Sequence, residues 1–346
     1  MDKPRASILI TREMERRCFA EEDLRRLEAA TALQRAETDS CSDDGQLAAI
    51  AGAEIAVTGW GSRPITEAML DAAPGLKLLC HSAGSVKSLI DAEEFLRRGL
   101  RVCTARQALA AGVAEFAFGM MLVSMKGVWR QVRSATWSTA EGGCSTAERR
   151  WDRSAMMEWI REPYGATVGI IGASNVGREM IRLCKTLSLA AILLYDPYVS
   201  EAEARDLGTV RVDLDELMRR SDVVSLHTPA TEECRHLIDA RNLALLKDHA
   251  IFINTARGMC VDESALIAEL EKGRILACID VTDPEPPAPD SPLYHLPNCI
   301  LTPHVAGAVK ENTFRQGRLV ADQIDAYVRG RGLPGELDLK RHHVFA

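Results

Sequence analysis

The chain has ten cysteines but no C-x-x-C pair, and no H-E-x-x-H stretch. Both absences argue against a zinc knuckle or a zincin-type centre, and no metal is expected. Positive charge is not in excess: 42 Lys and Arg face 49 Asp and Glu, a formal net charge of -7. That balance argues against nucleic acid or an anionic membrane as partner. The basic runs "RRCF" and "ERRWDR" are short and mixed with acids, and read as solvated helix faces. No apolar run reaches membrane-spanning length; the most apolar, "VAEFAFGMMLVSM", carries Glu115. The opening "MDKPRASILI" lacks the apolar core and cleavage site of a secretory signal. Scattered single thiols then fit a reduced, cytoplasmic protein.

What is present is an alternation. Short β-type runs ("ASILIT", "EIAVTGW", "LKLLCHSA", "LRVCTA") alternate with helical stretches, and a second series follows ("TVGIIG", "AILLYD", "DVVSLHTP", "AIFINTA", "ILACIDV", "CILTPHV"). Runs without strict polar alternation suggest strands buried on both faces, hence parallel sheets covered by helices. With 346 residues, two series imply two α/β domains. "ALAAGVAEFAFGMMLVSMKGVW" reads as a long, largely buried helix between them. The final helix, "ENTFRQGRLVADQIDAYVRG", has apolar residues at helical spacing and should pack back on the first domain. The expected division is residues 1–110 with 308–346, a discontinuous substrate-binding domain, and residues 111–307, a dinucleotide-binding domain. Segment 130–162, holding Trp137, Trp151 and Trp159, breaks the rhythm and is expected to form an arm that packs on a partner subunit.

The stretch "VGIIGASNVG" ends a strand at Gly172 and opens a helix near Asn175 and Val176. A helix N-terminus there favours an anion. A dinucleotide turn would read G-x-G-x-x-G, and here Ser174 holds the middle place. Serine adds only a CH2OH group, so the backbone still admits a close diphosphate, and Gly177 lets helix and strand approach. The next strand ends in Asp196, 19 residues after Gly177. A carboxylate there accepts hydrogen bonds from the adenosine ribose and repels a 2′-phosphate, favouring NAD over NADP.

Three later strands each deliver a polar group at their carboxyl ends. "IFINTARG" delivers Arg257, "ACIDVTDPEPP" delivers Asp280 and Glu285, and "ILTPHVAG" delivers His304. Ligands of open α/β sheets bind outside the carboxyl ends of strands, so these groups could converge.

These motifs resemble the D-isomer-specific 2-hydroxyacid dehydrogenases over nearly the whole chain, most closely in the blocks ending "NTARG" and "TPH". The resemblance implies a Rossmann-type domain for NAD and a smaller flavodoxin-like domain for substrate. It implies an NAD-dependent enzyme that interconverts a 2-keto acid and the (R)-2-hydroxy acid as a homodimer. Arg257 would bind substrate, His304 would act as general acid/base, and Glu285 would be its paired carboxylate. The cofactor's surroundings would be Gly172, Ser174, Asn175, Val176, Gly177 and Asp196, with His227, Thr228 and Pro229 as a wall. Thr255, Ala256, Arg257, Asp280, His304 and Gly307 complete them, Asp280 meeting the nicotinamide end. The substrate carboxylate would rest on the backbone of "CHSAGSVKSLI", at Ser82, Ala83, Gly84 and Ser85. Two departures touch the substrate rather than the reaction: Lys87 stands near the usual aspartate, and Leu109 at the usual asparagine. Formate dehydrogenases share this fold but carry glutamine where Glu285 stands. An NAD-sensing scaffold or corepressor on the same fold is the alternative left open.

Overall fold

A computed structural model of the chain describes residues 3–35, 42–130, 159–307 and 309–340. Trp137, Trp151 and most of the 130–162 segment lie outside these. The chain divides into two compact units, Met1–Ala110 with Gly307–Ala346, and Ala111–Ala306.

The first unit holds strands β1 (Arg5–Ile8), β2 (Ala32–Arg35), β3 (Ile55–Thr58), β4 (Leu78–His81) and β5 (Arg101–Thr104), all parallel, in the order β2-β1-β3-β4-β5. This is the flavodoxin-like order. The last helix, Lys310–Val328, packs on this sheet: Val320, Ala321 and Ile324 share a core with Ala6, Ile8, Val57 and Leu78.

The second unit holds β6 (Thr167–Ile171), β7 (Ala191–Tyr195), β8 (Val210–Arg211), β9 (Val223–Leu226), β10 (Ile251–Asn254), β11 (Leu276–Ile279) and β12 (Cys299–Leu301). Their order, β12-β11-β10-β9-β6-β7-β8, is the Rossmann order, again wholly parallel. Strands β9, β10 and β11 are buried at every residue, as continuous apolar runs require when helices cover both sheet faces. The order reverses between β6 and β9, which opens a crevice at their carboxyl ends.

The helix Arg106–Met125 corrects two expectations. It is 20 residues long with mean hydropathy 1.7, so by length and composition it could cross a membrane, and only 39% of its apolar window is buried. Ala114, Ala117, Met120, Met121 and Met125 nevertheless form one core with Val168, Ile170 and Ile253. It is a core helix whose second face is only partly covered.

Candidate active site

Every sequence-expected group of the second unit stands at or just beyond the carboxyl end of a strand in one parallel sheet. Gly172 follows β6 with φ +93°, a left-handed conformation that favours glycine. A Cβ there would lie 2.9 Å from the His227 carbonyl oxygen, and one on Gly177 would lie 2.0 Å from the Gly172 carbonyl oxygen. The glycines therefore let helix Asn175–Cys184 and the turn meet backbone to backbone. Ser174 is the N-cap of that helix: its Oγ accepts from Gly177 N at 3.3 Å. The first amides of the helix, at Asn175 and Val176, have no intrahelical partner by construction and open onto the turn.

Asp196, one residue past β7, is clamped in place. Its Oδ2 accepts from Ala173 N at 2.7 Å and its Oδ1 from Tyr198 N at 2.8 Å. The carboxylate thus both ends the strand and stands beside the glycine turn. Arg178, not singled out from the sequence, donates from Nε to Ala173 O at 3.0 Å on the other side of the same residue.

His227 follows β9 and is buried; its Nε2 pairs with Ser225 Oγ at 2.9 Å. Burial pushes its imidazole down to about 3, so the ring is neutral throughout the physiological range. Thr228 and Pro229 continue this wall, with the Pro229 carbonyl accepting from Cys260 Sγ at 3.6 Å.

Arg257 follows β10 through Thr255 and Ala256. Buried Asn254 fixes this turn: its Oδ1 accepts from Ala256 N at 3.0 Å and its Nδ2 donates to Arg257 O at 3.1 Å. Arg257 Nη1 donates to Ala256 O at 2.6 Å. Gly258 is tight against the next strand's exit, since a Cβ there would fall 2.0 Å from Thr282 O. The Arg257 turn is therefore packed on the segment that leads to Glu285. Asn254 and Gly258 were legible in principle, as a polar end to an apolar run and a glycine directly after the arginine.

His304 and Glu285 meet. Nδ1 of the histidine lies 2.6 Å from Glu285 Oε1, and the two side chains are 47% and 43% exposed. A bond this short between an imidazole N–H and a carboxylate is charge-assisted and fixes the ring's tautomer, leaving Nε2 outward. His304 sits at φ +53°, uncommon for a residue with a Cβ. Asp280 explains how it is held. Its Oδ1 accepts from Thr302 Oγ1 at 2.6 Å and from Val305 N at 3.0 Å, and its Oδ2 from Ala306 N at 2.9 Å. The buried carboxylate pins the loop on both sides of the histidine. Gly307 begins the return to the first unit.

In the first unit, the loop after β4 holds the residues expected to cradle the substrate carboxylate. Ser82 is fully buried and its Oγ donates to Thr58 O at 3.0 Å; Ala83 O accepts from Ala105 N at 3.1 Å. Ser85 Oγ accepts from Lys87 N at 3.3 Å. Leu109 Cδ1 stands 3.8 Å from where a Cβ on Gly84 would be, so an apolar side chain roofs this loop. His81 beside it is buried against Thr58 and pushed down to about 4 by desolvation.

Residues 123–306 match the family model described as "D-isomer specific 2-hydroxyacid dehydrogenase, NAD binding domain". A glyoxylate reductase of Korarchaeum cryptofilum is 35% identical over 271 residues, 77% of each chain. The chain belongs to the D-isomer-specific 2-hydroxyacid dehydrogenases. A D-3-phosphoglycerate dehydrogenase of Methanocaldococcus jannaschii is 34% identical over 311 residues, 89% of this chain but 55% of its own length. The chain thus spans about half the length of the phosphoglycerate dehydrogenases it matches. The holo D-mandelate dehydrogenase structure of Rhodotorula graminis shares the fold, with a TM-score of 0.81 at 24% identity over 98% of both chains.

The cofactor of this dehydrogenase domain is NAD. The residues fit it on two counts. The first amides of helix Asn175–Cys184, beside the Gly172 turn, have no intrahelical partner and suit a diphosphate. Two buried polar atoms along the same strand ends, His227 Nδ1 and Thr255 Oγ1, have no partner of their own, as expected of groups that await a ligand. Among the described residues no cluster of metal-ligating side chains occurs.

Proposed function

We propose that this dehydrogenase interconverts a small 2-keto acid and the (R)-2-hydroxy acid. The observation that carries the reading is the His304–Glu285 pair, held by Asp280 at the strand ends of the NAD domain. Arg257 offers paired donors of a planar guanidinium to the substrate carboxylate and ketone, which lysine could not match. His304 Nε2 gives a proton to the carbonyl oxygen in reduction and takes it back in oxidation, while Glu285 keeps Nδ1 engaged. Bound NADH supplies the hydride. The backbone of Ala83, Gly84 and Ser85 receives the substrate carboxylate. Asp196, facing the ribose, selects NAD over NADP.

A reducing, cytoplasmic setting suits the thiols: every described cysteine is free, and all but Cys234 are buried. A homodimer is supported by the half-covered apolar face of helix Arg106–Met125, where Phe116, Phe118 and Leu122 are only partly buried. The test of the activity is NADH oxidation across a panel of glyoxylate, hydroxypyruvate, pyruvate and bulkier 2-keto acids. At least one should turn over at rates ordinary for an enzyme; uniformly negligible rates would favour the NAD-sensing scaffold instead.

A further inference from the structure

A cavity of about 220 Å³ lies in the first unit where the end of helix Arg12–Cys18 meets the start of helix Lys310–Val328. It is lined by Arg16, Arg17, Lys310, Thr313 and Phe314. Three of five lining side chains are cations and none is an acid. Most of the described arginines are matched to carboxylates; on the same helix Arg12 pairs with Glu15 at 3.4 Å. Arg16, Arg17 and Lys310 take part in no ion pair among the described residues. Glu13 and Glu311 are neighbours in sequence but do not line the cavity.

The walls are built rather than loosely apposed. Thr313, buried, places its Oγ1 2.7 Å from Arg17 O and 2.8 Å from Lys310 O, fastening the end of one helix to the start of the other. Gly317 permits the approach, because a Cβ there would lie 2.0 Å from Cys18 O. Lys310 Nζ stands 5.9 Å from the centroid of the Phe314 ring, within cation–π range. Arg16, Arg17 and Lys310 all line the cavity and are all exposed, so an anion can reach them, and charge-assisted hydrogen bonds to a phosphate are the strong kind. The volume exceeds that of several waters at about 30 Å³ each. From the sequence alone "RRCF" read as a solvated face, and Arg16 and Arg17 are exposed; Lys310, arriving from nearly 300 residues away, lines the same cavity.

We propose that this cavity binds a small dianion, a phosphate group held by Arg16, Arg17 and Lys310, with Phe314 offering an apolar surface to a short carbon stem. The proposal does not rest on the dehydrogenase reading. Calorimetric titration of the full chain, saturated with NADH so that the cofactor's diphosphate site is filled, tests it with inorganic phosphate in one arm and glycerol phosphate in the other. One saturable equivalent is expected, weakened at least tenfold in an Arg17→Ala/Lys310→Ala variant. An Arg205→Ala control, which removes a cation elsewhere, should bind like wild type. Tighter binding of glycerol phosphate identifies a phosphate ester as the ligand; equal affinity identifies the free ion. Circular dichroism and melting verify that the double variant is folded; where it is not, Arg17→Glu takes its place and should likewise weaken binding at least tenfold. Non-saturable heats would mean an adventitious ion only. Equal affinity in wild type and the folded double variant, or in wild type and Arg17→Glu where that variant takes its place, would overturn the proposal.

Discussion

Replacing Asp280 by Asn tests how His304, the proposed general acid/base, is held. The change is nearly isosteric, but it turns one acceptor oxygen into an NH2 group. Oδ1 serves Thr302 and Val305, and Oδ2 serves the buried Ala306 N–H. In the better amide orientation the Ala306 bond alone is lost; it is a bond to a charged group, worth about 1.5–3 kcal/mol, and it leaves two donors face to face. The same loop holds His304 at φ +53°, and a left-handed residue with a Cβ costs about 1–2 kcal/mol. Loss of the restraint therefore matches or exceeds the strain it holds, and the histidine relaxes away from Glu285. We expect kcat for a 2-keto acid to fall at least a hundredfold, the lower end of what general acid catalysis contributes. NADH affinity, read by fluorescence quenching, should stay within about threefold. Wild-type kcat in the variant would refute the reasoning. A kcat loss matched by an equal loss of NADH affinity would show instead that Asp280 acts on the nicotinamide.

Gly177→Ala forces a methyl to within 2.0 Å of the Gly172 carbonyl; melting temperature and NADH affinity should both fall, and a variant with neither change would refute the turn's geometry. Asp196→Ala should weaken NADH by about ten- to a hundredfold, the worth of one or two charge-assisted hydrogen bonds, with NADPH less affected; unchanged discrimination in paired titrations would remove its ribose role. Folded His227 and His81 titrate near 3 and 4 rather than 6.5, so the unfolded chain takes up their protons first. Their contribution to stability is complete above pH 6.5 and drains as pH falls, about 2 kcal/mol for each by pH 5. Urea unfolding at pH 7 and pH 5 measures this, and glutamine at both positions should flatten the difference; an unaltered slope would contradict it.

The buried strands were legible because apolar runs such as "IFIN" and "VVSL" leave few alternatives. Strands β2, "ALQR", and β8, "VR", were not, because both are edge strands with little apolar surface to bury. The helix Arg106–Met125 was placed but taken as largely buried, since composition says nothing about how much of a face its own chain covers. Arg257, Glu285 and His304 stood out by their place after apolar runs. Asp280 stood out too, but as a group at the nicotinamide end; its hold on the His304 loop runs through partners 22 to 26 residues away, and Gly317 matters only because Cys18 packs against it. Side chains proposed to meet a ligand leave a mark in local pattern, whereas side chains that hold others in place do so through pairings that only the fold creates.

The most direct measurement is single-turnover reduction of the best 2-keto acid by His304→Ala, with NADH affinity titrated on the same sample. Turnover should drop by about 10²–10⁴-fold while NADH binds as it does to the wild type. Undiminished turnover would take proton transfer away from His304 and contradict the account.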